Sequence, residues 1–413
     1  MSRIVTRTLA NGLVVVLEPN DTVGSVALRW MLPAGSAVDP PRAQGYSTIL
    51  SELIFRGCGG MTSRDHSDAL DRLGIQRDSH VQTHHLRLDA TFLTEHWRAA
   101  LDLLAPMVLD PALPAPDLEA ARRLCLQSLD SLEDDPAHLV MLRLRERHLP
   151  PPFNRHGYGE ADCFRAATID DMRGHWRAHA TPGRSIIGIA GRVDADQVVD
   201  HLQTRLAEWR GGGGEPAALA PAARGSLTIA QPTAQVHLGV AFDAPREADP
   251  QSVVEQLAIG VLSGSTSGRL FTEVRQKRSL CYSVGASYRS GRDQGMVTLY
   301  AGTTPERAQE TLDVCIGEIM RLKAGVADDE FRRVVTGLRS QLVMQGESTR
   351  ARASAIAHDQ FRLGRARSLE AVAAEIDAVS LGQLNDYLSK RDFGEITLVS
   401  VGPVELKAPV ETV

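Results

Sequence analysis

A glycine-rich connector near the middle of the chain constrains the fold more than any other feature of the sequence. Glu208–Thr228 reads EWRGGGGEPAALAPAARGSLT, in which four consecutive glycines are followed by proline and alanine without a helix or strand period. A segment of this composition buries too little to become ordered and typically links domains. The sequence therefore predicts one domain at residues 1–210, a linker at residues 211–225 and a second domain at residues 226–413.

The two halves on either side of the connector share a weak internal repeat. Trp97–Arg123 and Ala308–Val334 align without a gap at an offset of 211 residues, and both read as an amphipathic helix, a break and an acidic helix start. The identical pairs are Leu101 and Leu312, Asp102 and Asp313, Asp117 and Asp328, Glu119 and Glu330, and Arg122 and Arg333. Each half also opens with alternating strand-like runs. We therefore predict two homologous α+β domains related by duplication, each a mostly antiparallel sheet covered by helices on one face.

Composition excludes several classes of protein. The net charge of -6 gives no general attraction to nucleic acid or to an anionic membrane. Five scattered cysteines without a CxxC pair favour free thiols over disulfides or a cysteine zinc site. The first residues lack the apolar core and cleavage site of a signal peptide, and no apolar run approaches the roughly 18 residues of a membrane span. We expect a cytoplasmic protein without nucleic-acid or membrane partners, and the arginine-rich composition is typical of a GC-rich bacterial genome.

Four stretches together resemble one peptidase family. They are Asn11–Gly45, Leu132–Pro136 with the sequence LEDDP, His175–Leu202 and Ser267–Ala286, and they occur in the family's order over nearly the whole chain. On these stretches the chain resembles the M16 metallopeptidases, which include pitrilysin, insulin-degrading enzyme, the mitochondrial processing peptidase and small bacterial heterodimers.

The resemblance implies a zinc motif that this chain lacks. Catalytic members carry His-x-x-Glu-His on their first helix, where two histidines bind zinc, the glutamate activates water and a distant glutamate is the third ligand. Aligned on Phe55–Gly57, these positions fall on Thr48, Ser51 and Glu52, and the distant ligand falls near Ser128. Hydroxyls compete poorly for zinc, and one carboxylate supplies one ligand. We therefore expect no metal in this chain, and we interpret Glu52 as a solvated or hydrogen-bonded helix residue.

Other candidate motifs are better explained by structure. His84 and His85 are adjacent, so on a regular strand they point to opposite faces and cannot share an ion. His80 and His84 share a face but lack an acid or cysteine partner, which favours a polar strand face. The Gly/Ser-rich Leu262–Phe271 lacks the GK[ST] ending of a phosphate-binding loop, which favours a flexible turn that could contact substrate. No GxSxG elbow or recognisable cysteine nucleophile is present.

An arginine–tyrosine pair in the second half matches another element of the family. In competent members, an arginine and a tyrosine seven residues apart face the zinc and hydrogen-bond the substrate and its oxyanion. Arg275 and Tyr282 have this spacing in FTEVRQKRSLCYSVG. A guanidinium and a phenol can both donate to a carbonyl oxygen that gains negative charge. The alternative is an ordinary exposed helix arginine and an unrelated strand aromatic.

The lost zinc motif and the retained pair predict a protein that acts as half of an enzyme. In the family, two such two-domain chains or halves enclose one chamber, so the resemblance implies a partner subunit with the His-x-x-Glu-His motif and zinc. We expect this chain to be inactive alone, and to hold extended peptides along a sheet edge while supplying Arg275 and Tyr282 to a zinc-dependent endopeptidase. The alternatives are an inactive scaffold or peptide-binding protein, and independent hydrolysis through an altered site.

Overall fold

The computed structural model describes residues 4–407, and the chain divides into two compact units. Of the described residues, the first unit comprises 4–131, Pro151–Leu219 and Gln345–Ser368. The second comprises Leu132–Pro150, Ala220–Met344 and 369–407. Each unit therefore contains one short segment from the other half of the sequence, which the connector alone did not indicate.

Residues 4–407 form thirteen strands and fourteen α-helices. The strands are β1 Val5–Thr8, β2 Val14–Pro19, β3 Ser25–Leu32, β4 Gly57–Cys58, β5 Met61–Thr62, β6 Gln76–Val81, β7 Leu86–Leu93, β8 Ile186–Gly191, β9 Ser226–Ala230, β10 Val236–Ala244, β11 Cys281–Ser290, β12 Gly295–Thr303 and β13 Thr397–Gly402. The helices are α1 Tyr46–Leu53, α2 Ser63–Arg72, α3 Trp97–Leu109, α4 Leu118–Asp130, α5 Pro136–His148, α6 Ala161–Ala166, α7 Ile169–His179, α8 Ala195–Arg205, α9 Ser252–Ser263, α10 Ala308–Arg321, α11 Asp328–Gly346, α12 Thr349–Leu363, α13 Leu369–Asp377 and α14 Leu381–Lys390. A π-helical segment, Phe271–Gln276, lies between α9 and β11.

The two main sheets have matching topologies. The first unit's sheet has the strand order β1-β2-β8-β3-β7-β6, and the second unit's sheet has the order β9-β13-β10-β12-β11. In each sheet one pair is parallel, β2 with β8 and β9 with β13, and these pairs occupy equivalent places. All other pairs of these sheets are antiparallel. The predicted α+β fold with an internal duplication is confirmed.

Local sequence explains where equivalent helices begin. The helix before the last strand of each unit, α7 in the first and α14 in the second, starts with a capping box. Thr168 and Asp171 form it in α7, and Ser380 and Gln383 form it in α14. In both, a hydroxyl accepts from a free backbone N–H while the longer polar side chain accepts from the cap's own N–H. The same device thus positions the helix that precedes β8 and the helix that precedes β13.

Each main sheet is covered on both faces, which corrects the expectation of a single covered face. The central strands β3, SVALRWML, and β8, IIGIAG, are buried along almost their whole length and place apolar residues on both faces, so both must be packed. The second layer comes from the exchanged segments, α12 in the first unit and α5 in the second. The apolar contacts join Ile356 and Ala357 of α12 to Val16, Met31 and Ile186, and Val140 and Leu144 of α5 to Ala241, Val399 and Val401.

Helix α12 is held in the first unit by a close approach to the sheet and by a buried ion pair. A Cβ atom at Gly188 would lie 2.4 Å from the carbonyl oxygen of Ala353, so glycine is required for this approach. Arg352 Nη2 lies 2.7 Å from Glu18 Oε2, and the two side chains are only 9% and 6% exposed. A buried pair of this kind tolerates loss of one partner poorly. The sheet face and the helix are therefore matched in charge as well as in shape.

Two further observations bear on the classes of protein considered above. The five cysteines are all buried free thiols. Among the helices of residues 4–407, none combines the length and the apolar character needed to cross a membrane.

Candidate functional site

The positions of the zinc motif lie on α1, and their hydroxyls are used by the fold. Thr48 Oγ1 donates to the carbonyl oxygen of Gly157 at 2.9 Å, and Ser51 Oγ donates to the carbonyl oxygen of Thr48 at 2.7 Å. Glu52 is half-buried on the same helix, while Ser128 is exposed on the neighbouring α4. Within residues 4–407 no cluster of three or more His, Cys, Asp or Glu side chains could hold a metal ion. The residues at this position do not fit zinc.

Glu52 has an electrostatic neighbour instead of a metal. Burial, together with the Glu52 carboxylate, raises the pKa of the Cys125 thiol to about 12. A thiol with so high a pKa stays protonated, and a protonated thiol is neither a good nucleophile nor a metal ligand. The Cys125 thiol therefore stays neutral beside the Glu52 carboxylate at the contact between α1 and α4.

A residue that the sequence analysis missed, Asp39, fixes the start of α1. Its carboxylate accepts hydrogen bonds from the backbone N–H of Gly45 at 2.8 Å, and from the N–H and hydroxyl of Ser47 at 3.0 and 2.6 Å. These are donors that the first turn of a helix leaves unsatisfied. Gly45 has φ of 113°, a conformation that favours glycine. Asp39 and Gly45 therefore fix the start of the helix that carries Thr48, Ser51 and Glu52.

The histidine pair lies in a turn, which corrects its placement on a strand. His84 and His85 connect β6 to β7, and their ring centroids lie 5.2 and 4.4 Å from that of Phe361. The chain must reverse here, so strand alternation does not apply. His80 is on β6, where its Nε2 lies 2.8 Å from Asp78 Oδ2. The three histidines therefore do not form one polar strand face.

The Gly/Ser-rich Leu262–Phe271 links α9 to the π-helical segment. Ser265 and Ser267 share a hydrogen bond between their hydroxyls at 2.7 Å, and the N–H of Gly268 donates to the carbonyl oxygen of Ser265 at 2.9 Å. The loop is thus a turn closed by its own polar groups. Contact between this turn and a substrate stays a prediction.

Arg275 lies on a local irregularity of the backbone. Phe271–Gln276 is π-helical, and the N–H of Lys277 donates to the carbonyl oxygen of Thr272, five residues earlier, at 2.9 Å. Short π-helical turns are rare in proteins as a whole, but those that occur are often at functional sites. The wider turn changes the direction in which the side chains project. The arginine is therefore not part of an ordinary solvent-exposed α-helix.

Tyr282 lies on a second irregularity, a bulge at the start of β11. Cys281 pairs with Thr303, but the next paired residue, Ser283, is opposite Gly302, so Tyr282 is the extra residue. Bulges re-aim side chains and occur at sheet edges, and β11 is the edge strand of its sheet. The Tyr282 side chain is 79% exposed, which is unusual for a large aromatic residue.

The two irregularities bring the arginine and the tyrosine into contact. The Cζ atom of Arg275 lies 4.5 Å from the centre of the Tyr282 ring and 4.8 Å from that of Phe271. Cation–π attraction to two rings orients the guanidinium without using its N–H groups. Within the described part of the chain, neither this guanidinium nor the Tyr282 hydroxyl has a hydrogen-bond partner. Both donors are therefore available to a ligand.

A carboxylate below the surface holds the segment between the two residues. Glu273 accepts from Lys277 Nζ at 2.7 Å and from Arg278 Nη1 at 2.8 Å. These two hydrogen bonds lower the pKa of Glu273 to about 2, so it remains charged. Glu273 was not among the residues expected from the sequence, although its four-residue spacing from Lys277 is a recognisable signal for a helical ion pair.

Two sequence profiles of one peptidase family match this chain. A sequence profile described as "Insulinase (Peptidase family M16)" matches residues 14–150. A second profile, described as "Peptidase M16 inactive domain", matches residues 166–338, the part that contains both Arg275 and Tyr282.

Relatives and solved structures are similar over nearly the whole chain. The uncharacterized zinc protease YmxG of Bacillus subtilis is 26% identical over 404 residues, which are 96% of this chain and 97% of that protein. An uncharacterized zinc protease of Streptomyces coelicolor is 28% identical, and the alignment covers 97% of this chain and 90% of that protein. A crystal structure of a peptidase M16 inactive domain from Pseudomonas fluorescens superposes with a TM-score of 0.88 at 21% identity, covering 98% of this chain and 100% of the other. A chain of complex III from Candida albicans superposes with a TM-score of 0.82 at 16% identity, covering 98% of this chain and 97% of the other.

Proposed function

Because this chain belongs to the M16 peptidase family, we propose that it is the non-zinc subunit of a heterodimeric zinc endopeptidase. One observation carries the proposal: Arg275 is stacked between two rings, beside Tyr282, with its donors free in the described chain. No carboxylate of the described chain pairs with Arg275, whereas Arg332, for example, is paired with Asp328 at 2.8 Å. A carbonyl or carboxylate oxygen of a ligand would supply the acceptor that the stacked guanidinium lacks.

The substrate in this proposal is a peptide in extended conformation. The outer side of the edge strand β11 offers backbone groups to which a peptide can add as a further strand, with little dependence on its sequence. Arg275 and Tyr282 donate to the carbonyl oxygen of the bond to be cleaved, and these hydrogen bonds strengthen as negative charge develops on it. The role of this chain is therefore to position the peptide and to stabilise the charge.

The second subunit in this proposal is an M16 protein with the His-x-x-Glu-His motif. It holds the zinc and the third glutamate ligand, and the metal supplies the activated water for hydrolysis. Thr48 and Ser51 of this chain cannot substitute for those ligands, because their hydroxyls already donate to backbone carbonyl oxygens. We place the pair in the cytoplasm, a reducing compartment that suits five free cysteines.

A second candidate function is a catalytically inactive scaffold or peptide-binding protein. The description of the matching profile as an inactive domain supports it, and so does the similarity in fold to a chain of complex III. This alternative requires neither a zinc subunit nor any contribution of Arg275 and Tyr282 to turnover.

Reconstitution separates the two functions. The chain is purified alone and together with the M16 protein that carries the zinc motif in the same cell, and peptide cleavage is measured with and without a chelator. We expect no cleavage by this chain alone, and chelator-sensitive cleavage by the pair that falls with Arg275→Ala or Tyr282→Phe. Arg332→Ala is the control, because Arg332 is exposed on α11. If this chain adds nothing to the cleavage by the zinc protein alone, the scaffold function is the correct one. If the Arg275 and Tyr282 variants cleave as fast as the wild-type pair, the role assigned to these two residues is wrong.

A further inference from the structure

The surface around Arg275 and Tyr282 is basic. Lys277 and Arg278 follow the π-helical segment directly and both pair with Glu273 on it. Arg321 of α10 reaches the same carboxylate, with its Nη2 atom 3.9 Å from Glu273 Oε1. Arg307 donates to the backbone carbonyl oxygen of Ser279, between Arg278 and Tyr282 in the chain. We call these four cations, Lys277, Arg278, Arg307 and Arg321, the basic rim.

The carboxylates that balance the basic rim lie beneath it. The side chains of Glu273 and Glu318 are only 10% and 7% exposed, and Arg321 Nη2 lies 2.8 Å from Glu318 Oε2. In contrast, the side chains of Lys277, Arg278 and Arg321 are 61%, 42% and 49% exposed. An approaching ligand therefore meets the cations and not the acids that hold them.

The local charge is opposite to that of the whole chain. With Arg275, the rim places five cations near two buried carboxylates, whereas the chain carries a net charge of -6. Glu306, next to Arg307, is an exposed acid at this border, and it leaves the balance positive. Charges at the border of a binding site affect the rate of encounter and the exclusion of wrong ligands more than the affinity of a correct one.

We propose that the basic rim selects acidic peptides, with Asp or Glu side chains flanking the bond that Arg275 and Tyr282 hold. The inference rests on the proposed function, because it assigns the substrate class of that same site. Carboxylates of the peptide pair with the exposed cations of the rim, while lysine or arginine at the same positions is repelled. The rim thus adds selectivity by charge to a strand edge that by itself reads only the peptide backbone.

Peptide binding tests this inference without the zinc subunit. Three labelled peptides share one core and carry acidic, neutral or basic flanks, and their binding to the full chain is measured by fluorescence anisotropy at low and high salt. We expect the acidic peptide to bind about ten-fold more tightly than the basic one at low salt, and the difference to shrink at high salt because ions screen exposed charges. Equal binding of the three peptides at low salt overturns the inference.

Two double variants with the same change in net charge locate the effect. Lys277→Gln with Arg307→Gln removes two charges of the rim and leaves Arg278 to hold Glu273. Arg332→Gln with Arg339→Gln removes two exposed charges of α11. We expect only the rim variant to lose most of the preference for acidic flanks, with circular dichroism confirming that both variants fold. An equal loss in the α11 variant overturns the inference.

Failure of this inference is distinguishable from failure of the proposed function. If Arg275→Ala slows the reconstituted pair but the three peptides bind alike, the rim does not select substrate and the subunit role stands. If the preference for acidic flanks depends on the rim but Arg275→Ala and Tyr282→Phe leave turnover intact, the role assigned to these two residues is wrong and the rim remains a site for acidic peptides.

Discussion

The guanidinium carbon of Arg275 lies 4.5 Å from the centre of the Tyr282 ring, and each of the two residues lies on a departure from regular structure. The π-helical turn and the β-bulge disrupt regular hydrogen bonding locally. Their common result is an exposed pair of donors on an edge strand. The proposed subunit role depends on this contact, whereas the selection of acidic peptides depends on the basic rim around it.

Substitutions that separate charge from geometry test the role of Arg275. Lysine keeps the charge but loses the planar fork and the stacking on Tyr282, so Arg275→Lys is expected to lower kcat/KM of the reconstituted pair by about ten-fold. Removal of a donor to a developing oxyanion costs about 10²–10³ in rate, which we expect for Arg275→Ala. Steady-state kinetics on one peptide with each variant checks both values. A lysine variant as active as the wild type would show that charge alone suffices.

Much of the fold could be predicted from the sequence because it follows from local pattern. Apolar runs such as VVVLEP in β2 and the repeat at an offset of 211 residues indicated strands and a duplication. The exchange of α5 and α12 could not be predicted in this way. The apolar residues of either helix could pack against many apolar surfaces. Only the assembled sheets show that α12 packs on the first and α5 on the second.

The candidate site was visible in the sequence only through the family resemblance. The arginine–tyrosine spacing has no intrinsic signal in a chain rich in arginine. Local pattern does not indicate the π-helical turn or the bulge, and it also does not show contacts between distant residues, such as that of Glu273 with Arg321 of α10. The turn at His84 and His85 was missed for a similar reason, since alternation in β6 and β7 does not show where the chain reverses.

Metal removal is expected to leave this chain unchanged. A ligand that binds only the folded state raises stability, so its removal lowers Tm. Glu52 is the one carboxylate among the positions of the zinc motif, and the hydroxyls of Thr48 and Ser51 are engaged by backbone carbonyls. We expect chelator treatment to leave Tm of the purified chain constant, as read by calorimetry with metal content measured in parallel. One bound zinc per chain that is lost in Glu52→Gln would contradict the assignment.

The buried ion pair under α12 is expected to be needed for stability. Arg352→Met removes the guanidinium that contacts Glu18, a residue only 4% exposed. Loss of one partner of a buried pair costs about 3–5 kcal/mol, because the remaining charge is poorly solvated. The double change of Glu18→Gln with Arg352→Met is expected to recover most of this loss. Free energies of unfolding from denaturant titrations provide the measurement.

An exposed ion pair provides the matched control for Arg352. Arg165 and Asp162 are 2.8 Å apart on α6, with side chains 63% and 97% exposed. Exposed pairs contribute about 0–1 kcal/mol, so Arg165→Met should lower the free energy of unfolding much less than Arg352→Met. Similar losses in the two variants would mean that the exchanged helix is held mainly by its apolar contacts.

His358 on α12 is expected to make the protein sensitive to mild acid. Burial lowers the pKa of this imidazole to about 4, assisted by the positive charges of Arg362, Arg29 and Arg87. The unfolded chain takes up this proton near a pKa of about 6.5, so protonation favours unfolding as the pH falls from about 6.5 to about 4. The stability that His358 contributes is therefore complete above about pH 6.5, and the full shift corresponds to roughly 3 kcal/mol lost below about pH 4. We expect His358→Gln to flatten the fall in the free energy of unfolding across this window, relative to the wild type in the same buffers. Parallel curves for the two proteins between pH 7 and pH 4 would exclude His358 as the acid-sensitive group.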